Sequence, residues 1–294
     1  MWCKQCNIET NASVCPVCGD TTVEDLPVEV YWCERCHTPI INTAVQADKG
    51  SCPVCGGKTK YLAADLRPVF PEERLLVELL LNKEPNSLWE ESVWANNNRY
   101  YINGKAISMP NSIYETANVD SIIKKLNECS SKNGYDAFDR HIETFILANH
   151  SRLEYLKDEA FQFIKKASSK FPAENIVVSF SGGKDSTVSA DLAVKALSDP
   201  CLVHIYGDTT LEFPSTAEYA ERFRAAHPNA IFQIAKNDEQ DFYDVCEDIG
   251  PPARMMRWCC SMFKTGPITR VINSMYGSQQ ILTFYGIRKA ESVS

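Results

Sequence analysis

Residues 175–197 read NIVVSFSGGKDSTVSADLAVKAL. Ile176–Phe180 make a nearly continuous apolar run of strand length, the pattern of a parallel strand covered on both faces. Asp185 onward reads as a helix. Two glycines and a lysine lie between them. Strand, glycine turn and helix start together form a geometry that binds phosphate. Gly182 and Gly183 let the backbone approach an anion closely, and the loop and first-turn N–H groups form a concavity at the positive end of the helix dipole. Ser181, Ser186 and Thr187 are candidate hydroxyl donors, and Lys184 is a candidate cation. The loop is not a Walker A motif, because Asp185 follows Lys184 where Ser or Thr is required. Nor is it Gly-x-Gly-x-x-Gly.

The downstream sequence extends the pattern. CLVHIYGDTTLEFPSTAEYAERF (201–223) predicts a second buried strand, a turn at Gly207-Asp208-Thr209 and a helix opened by Phe213-Pro214. AIFQIAK (230–236) predicts a third strand. PPARMMRWCCSMFKTGPITRVI (251–272) and TFYGIRKAES (283–292) follow. Ser181–Ser186 resembles the PP-loop, Ser-Gly-Gly-x-Asp-Ser, of the ATP-pyrophosphatase and sulfonucleotide superfamily. Asp208-Thr209 with Phe213-Pro214-x-Thr216, the Arg257-x-Cys-Cys-x3-Lys264-x2-Pro segment and Gly286-x-Arg288-x-x-Glu-Ser resemble phosphoadenosine phosphosulfate (PAPS) reductases. The resemblance covers about residues 140–294. It implies an α/β fold with a parallel-sheet, adenine-nucleotide α-hydrolase-like domain at 136–294. It also implies a nucleotide site drawn from Ser181, Gly182, Gly183, Lys184, Asp185, Ser186, Thr187, Asp208, Thr209, Arg257, Lys264 and Arg288. The charge pattern agrees. The chain is acidic, at −8, yet residues 251–294 carry six basic residues and one acid, Glu291. Arginine meets phosphate or sulfate oxygens bidentately and lysine as a point charge. Arg270 and Lys289 read as surface residues.

Eight of the thirteen cysteines lie in the first 55 residues, as four Cys-x-x-Cys pairs. CKQC with CPVCGD, then CERC with CPVCGG, form an internal repeat. Each pair can make a knuckle, and two knuckles complete a four-sulfur tetrahedral site. Residues 1–60 are therefore expected to form tandem zinc ribbons. Cys3, Cys6, Cys15 and Cys18 would hold one zinc, and Cys33, Cys36, Cys52 and Cys55 a second. Gly19 and Gly56 suit the tight turns. Metal binding would supply folding free energy on the order of 10–16 kcal/mol to segments with little core of their own. These residues carry five basic side chains against seven acidic ones, so scaffolding or protein contact is at least as well supported as nucleic-acid binding.

Residues 61–135 read as a small α+β middle region or linker. LRPVFPEERLLVELLLN turns helical after its prolines, with Leu75, Leu76, Leu79 and Leu80 at helical spacing. SVWANNNRYYINGKAISM reads as a short meander with Asn-rich and Asn-Gly turns, and SSKNGYDAFDRH (130–141) as a loop. A single amphipathic helix is expected from about Asp139 to Lys170. His141 and His150 receive no role.

In the iron–sulfur branch of the PAPS reductases, a Cys-Cys pair like Cys259-Cys260 binds a [4Fe–4S] cluster together with a later Cys-x-x-Cys. No cysteine follows Cys260 here, nor does the C-terminal nucleophile motif of the reductases. Either the sequence is a fragment of a longer protein or the redox half has been lost. Cys259 and Cys260 remain candidate cluster ligands, and no catalytic nucleophile is assigned. The resemblance implies sulfonucleotide reduction, PAPS or APS to sulfite, with a thioredoxin-like reductant. A second reading is an ATP-dependent thiolation enzyme using Mg²⁺ and acting on tRNA or DNA. A third is a non-catalytic zinc-ribbon scaffold that keeps a nucleotide site. The N-terminus lacks a signal-peptide pattern and no run of about 18 apolar residues occurs, so a cytoplasmic protein without a membrane span is expected.

Overall fold

In the computed structural model the chain divides into two compact units, Met1–Glu154 and Tyr155–Ser294. The structure describes residues 1–6, 8–10, 12–23, 28–43, 50–129 and 134–287. The first unit opens with β1 (Trp2–Cys3) and β2 (Ile8–Glu9), a short antiparallel pair. Next come β3 (Val28–Cys33), β4 (Thr38–Thr43) and β5 (Thr59–Ala63), an antiparallel sheet in the order β4-β3-β5. After β6 (Arg67–Pro68), α1 (Pro71–Leu80) starts at a proline, as helices often do. Leu75 and Leu79 are buried, and Leu76 faces outward. The expected meander is present as β7 (Val93–Asn96), β8 (Arg99–Ile102) and β9 (Lys105–Ser108), antiparallel in the order β6-β7-β8-β9. Asn103 and Gly104 both take positive φ in the last hairpin, the conformation that a two-residue primed turn requires. Trp32 and Ala63 share one core with Trp94 and Tyr101. The second cysteine segment and the meander are thereby packed as one body.

Helices α2 (Asn111–Thr116), α3 (Val119–Glu128), α4 (Tyr135–Ala148) and α5 (His150–Ser168) follow. Two local expectations are corrected here. Part of the stretch expected to be a loop, from Tyr135 onward, is helical. Phe138, Ile142 and Phe145 share a face of α4: Phe138 packs on Phe70 at 5.0 Å, and Phe145 on Trp94 at 4.9 Å. The single long helix is broken at Asn149. Its side chain donates to Pro39 O at 3.0 Å and to Phe145 O at 2.8 Å, and accepts from the Ile41 N–H at 2.6 Å. A buried amide that ties the helix to β4 in this way diverts the local hydrogen bonding from a continuous helix.

Arg74 and Glu78 are buried in α1, 3.5 Å apart. Glu78 also accepts the Asn86 and Leu88 N–H groups, at 2.5 and 2.8 Å, and so pins the chain that follows the helix. Burial pushes the Arg74 pKa down. Replacing Glu78 with Ala would leave a buried cation without its carboxylate and strand two amides. We expect a loss of about 3–5 kcal/mol of stability, read by urea denaturation of the full chain; a loss under about 1 kcal/mol would contradict this role.

The second unit is an α/β fold. Its strands β10 (Ile176–Phe180), β11 (Val203–Asp208), β12 (Ile231–Lys236) and β13 (Leu282–Phe284) form a parallel sheet in the order β12-β11-β10-β13. Alternation along β10 sends Ile176, Val178 and Phe180 into one core with Ala190, Ala193, Ala220 and Phe223 of α6 (Lys184–Leu197) and α7 (Pro214–Ala226). Val177 turns to the other face, with Val203, Ile205 and Tyr276. That face is covered by α9 (Gly266–Tyr276), which follows α8 (Phe242–Ile249) and a π-helical turn at Cys260–Thr265. A sheet covered on both faces explains the nearly continuous apolar run in β10. The chain moves outward from β10 through β11 to β12, then returns to the other side of β10 as β13. The strand order thus reverses beside β10, and in open parallel sheets ligands bind at the carboxyl ends of the strands at such a point.

Candidate functional site

The glycine loop occupies that switch point. Gly182 has φ +73°, and a Cβ there would sit 3.0 Å from the Thr216 methyl on α7; the position calls for glycine both conformationally and sterically. Gly183 is different. It is the N-cap of α6 with ordinary extended dihedrals, and a Cβ would meet only Ser181 Oγ, at 3.6 Å. The first-turn N–H groups of α6 have no preceding helical carbonyls to bind, so they supply the anion-attracting end of the dipole.

The hydroxyls fall into distinct roles. Ser186 is buried. Its Oγ accepts from the Ser181 N–H at 3.1 Å, lies 3.1 Å from Ser181 Oγ, and donates to Gly183 O at 2.9 Å. Thr187 Oγ1 also donates to Gly183 O, at 2.9 Å. These two hydroxyls brace the loop from within. Lys184 Nζ stands 3.1 Å from both carboxylate oxygens of Asp185 and is otherwise well exposed, at 77%.

Two further segments reach this point. Asp208 ends β11; its carboxylate accepts the Thr210 N–H at 2.9 Å and lies 3.6 Å from Lys236 Nζ at the end of β12. Thr209 is held through both its N–H and its hydroxyl by Glu212, at 3.1 and 2.7 Å. Beyond β13, Gly286 packs onto the first turn of α6. A Cβ there would fall 2.5 Å from Asp185 O and 2.8 Å from Ser186 N. Ile268 of α9 lies beside Gly207, so the start of α9 meets the Asp208 end of β11. Arg257 and Lys264, on the segment leading into α9, are exposed and have no carboxylate partner among the described residues. Arg288 lies outside the described residues. Lys236, Glu212, Tyr219 and Gly286 were not among the residues chosen from sequence. Only Gly286 left a trace there, as the first residue of the Gly-x-Arg motif.

The Cys259-Cys260 pair opens the π-helical turn, with Cys260 as its first residue. Cys259, like Cys246 and Phe242, packs against the buried cluster of Val245, Trp258 and Phe263. Neither residue of the pair joins a group of three closely placed metal-ligating side chains among the described residues. The described residues therefore do not complete a four-thiolate cluster site around this pair.

The N-terminal cysteines do assemble. Cys3, Cys6, Cys15 and Cys18 form one group and Cys33, Cys36, Cys52 and Cys55 another, with all sulfurs of a group within 4.8 Å of one another. The Cys3–Cys18 and Cys33–Cys55 sulfur pairs are 3.5 Å apart, and Cys36–Cys52 3.8 Å. A tetrahedron with metal–sulfur bonds of about 2.3 Å has edges of about 3.8 Å. Gly19 and Gly56 take the positive φ expected of the knuckle turns. The thiols divide their protons unequally. The Cys18 backbone N–H pulls Cys15 down to about 7, and the Gly57 N–H, 3.4 Å from the sulfur, pulls Cys55 down to about 7. Contact with Cys18 pushes Cys6 up to about 12, and burial pushes Cys33 and Cys36 up. Each group can shed one proton easily but resists losing four without a cation at its centre. These residues can hold a metal ion.

Residues 175–294 match the family model described as the phosphoadenosine phosphosulfate reductase domain. This part of the chain is similar to that family's domain. Two uncharacterized Methanocaldococcus jannaschii proteins are similar. MJ0066 is 32% identical over 158 residues, covering 54% of this chain and 32% of its own length. MJ0973 is 33% identical over 154 residues, covering 51% and 35%. The matched region is thus about a third of these relatives' length. Among solved structures, a phosphoadenylyl-sulfate reductase from Candida auris, in a phosphate complex, aligns with 20% identity and TM-score 0.35, over 47% of this chain and 67% of its own. An NH3-dependent NAD synthetase from Campylobacter jejuni aligns with 15% identity and TM-score 0.35, over 46% and 57%.

The contact at Gly286 can be tested directly. Gly286→Ala should force β13 away from α6 and cost about 1–3 kcal/mol. Thermal unfolding would measure it; an unchanged melting temperature would show that the two backbones are not in contact.

Proposed function

We propose that the second unit binds an adenine nucleotide through the Ser181–Thr187 loop, and that this nucleotide is a sulfonucleotide, PAPS or APS, reduced to sulfite. The observation that carries the reading is a PAPS reductase-family loop at the switch point of a parallel sheet, braced so that its backbone N–H groups are available to an anion. Gly182 and Gly183 admit the 5′-phosphosulfate to the backbone. Lys184, Arg257, Lys264 and Arg288 supply cations, and Asp208 and Thr209 supply polar groups at the next strand end. In the reaction a thiolate attacks the sulfur and the nucleotide's 5′-phosphate leaves; a thioredoxin-like dithiol then supplies two electrons and sulfite departs. We assign the attacking thiolate to no described residue. Cys259 and Cys260 are two candidate ligands for a [4Fe–4S] cluster, whose other ligands would have to come from elsewhere, and no step is routed through it. The setting that fits this chemistry is the cytoplasm; among the described residues no helix is long and apolar enough to cross a membrane.

The paired cysteine groups favour a second reading, ATP-dependent thiolation of tRNA or DNA. There the same loop would hold the pyrophosphate of Mg-ATP. Calorimetry of the full chain with PAPS, APS and Mg-ATP separates the two. The sulfonucleotides are expected to bind more tightly, and Gly183→Val, whose backbone conformation suits any residue, should abolish binding. Binding of Mg-ATP alone would favour thiolation. Equal binding of all three by wild type and variant would remove the loop from the site.

We further propose that each four-cysteine group holds one structural zinc. Metal analysis should give about two zinc ions per chain. Zinc must displace the thiol protons, so affinity falls as pH falls. Zinc should be retained at about pH 7.5 and released on acidification well below 7, where Cys15 and Cys55 regain their protons. Release that is independent of pH, or less than one zinc per chain, would contradict the assignment.

A further inference from the structure

We propose that Tyr219 is a positioning residue for the phosphate loop; the inference rests on the nucleotide reading above. Tyr219 lies on α7, on the same helical face as Thr216, three residues earlier. Thr216 places its methyl against Gly182. The Tyr219 hydroxyl donates to Thr187 Oγ1 at 3.1 Å, and Thr187 Oγ1 donates in turn to Gly183 O at 2.9 Å. The chain of hydroxyls therefore ends on the Gly183 carbonyl, which would repel an incoming anion if it turned toward it. The Tyr219 ring is held from behind. It stacks with Phe180, the last residue of β10, at 6.5 Å and 24°, and the Arg222 guanidinium lies 5.8 Å from its centroid. A ring fixed by such neighbours delivers its hydroxyl from a set direction.

Tyr219 has no role in contacting the nucleotide itself. It fixes the Thr187 rotamer, and Thr187 helps keep the Gly183 carbonyl turned into the helix while the loop N–H groups face the anion. Loss of the hydroxyl should therefore weaken the grip on phosphate and leave the grip on the nucleoside alone. Tyr219→Phe keeps the ring and removes only the oxygen.

Calorimetry of the full chain with ATP, PAPS and adenosine tests this. For whichever of ATP or PAPS binds the wild type, Tyr219→Phe should weaken binding about three- to tenfold, the range of one neutral hydrogen bond. Adenosine affinity should not change. Tyr219 acts only through Thr187, so adding Tyr219→Phe to Thr187→Val should weaken binding no further than Thr187→Val alone. Unchanged ATP and PAPS affinities in Tyr219→Phe, a proportional loss for adenosine, or additive losses in the double variant would each overturn the inference while leaving the nucleotide reading standing. Failure of ATP and PAPS to bind the wild type would overturn the nucleotide reading and this inference with it.

Discussion

The Gly183 carbonyl holds the phosphate loop in shape. It accepts the Thr187 N–H at 3.0 Å and the hydroxyls of Ser186 and Thr187 at 2.9 Å each. A carbonyl so occupied cannot swing outward without breaking all three bonds. A loop built to meet an anion must keep its oxygens away from it, and here the first turn of α6 enforces that. Ser186 then ties Ser181 to the same point, so the loop closes on itself before any ligand arrives. Such preorganisation reduces the ordering cost of binding.

The surrounding fold makes this geometry sturdy. β10 is buried on both faces and delivers Ser181 from a fixed direction. α7 presses on Gly182 through Thr216, while Gly286 sets the end of β13 against the first turn of α6. Glycine serves the two contacts differently. At Gly182 the backbone conformation itself disfavours a side chain. At Gly286 the obstacle is a neighbouring backbone, which cannot move aside as a flexible side chain would.

What could be read from sequence follows from the range of the interactions. The strand, glycine turn and helix at 175–197 are a local pattern, as are the four Cys-x-x-Cys pairs and the Asn103-Gly104 hairpin, and all were legible. Residues whose meaning depends on a distant partner were not. Nothing near Tyr219 in the sequence announces Thr187, and nothing near Lys236 announces Asp208. Ser186 was read as a phosphate donor because its neighbours in the motif invite that reading; only its burial and its three short contacts show it bracing the loop. Asn149 sits within an unbroken apolar periodicity, and the reason for the helix break, the edge of β4, lies more than 100 residues away. α4 was missed at its start because Asn133-Gly134 resembles a turn, while the aromatic face that makes Tyr135 onward helical finds Phe70 only in the fold.

Charge bears on where a macromolecular partner would touch the chain. Residues 1–60 carry five basic and seven acidic side chains. Four thiolates around one dication would add roughly two negative charges per group. A metal-loaded N-terminus is thus a poor surface for a phosphate backbone, whose affinity comes from lysine and arginine. The cations instead concentrate in 251–294, where Arg254 and Arg257 precede the π-helical turn, Lys264 lies within it and Arg270 lies in α9. On the proposed nucleotide reading, cations on this segment would meet a small anion. On that reading, a local excess of positive charge in an acidic chain is accounted for without a nucleic-acid substrate. The second cysteine group, whether or not it holds a metal ion, packs through Cys33 and Cys52 against Ala148 of α4, so it is built into the core of its unit and not laid out as a free surface.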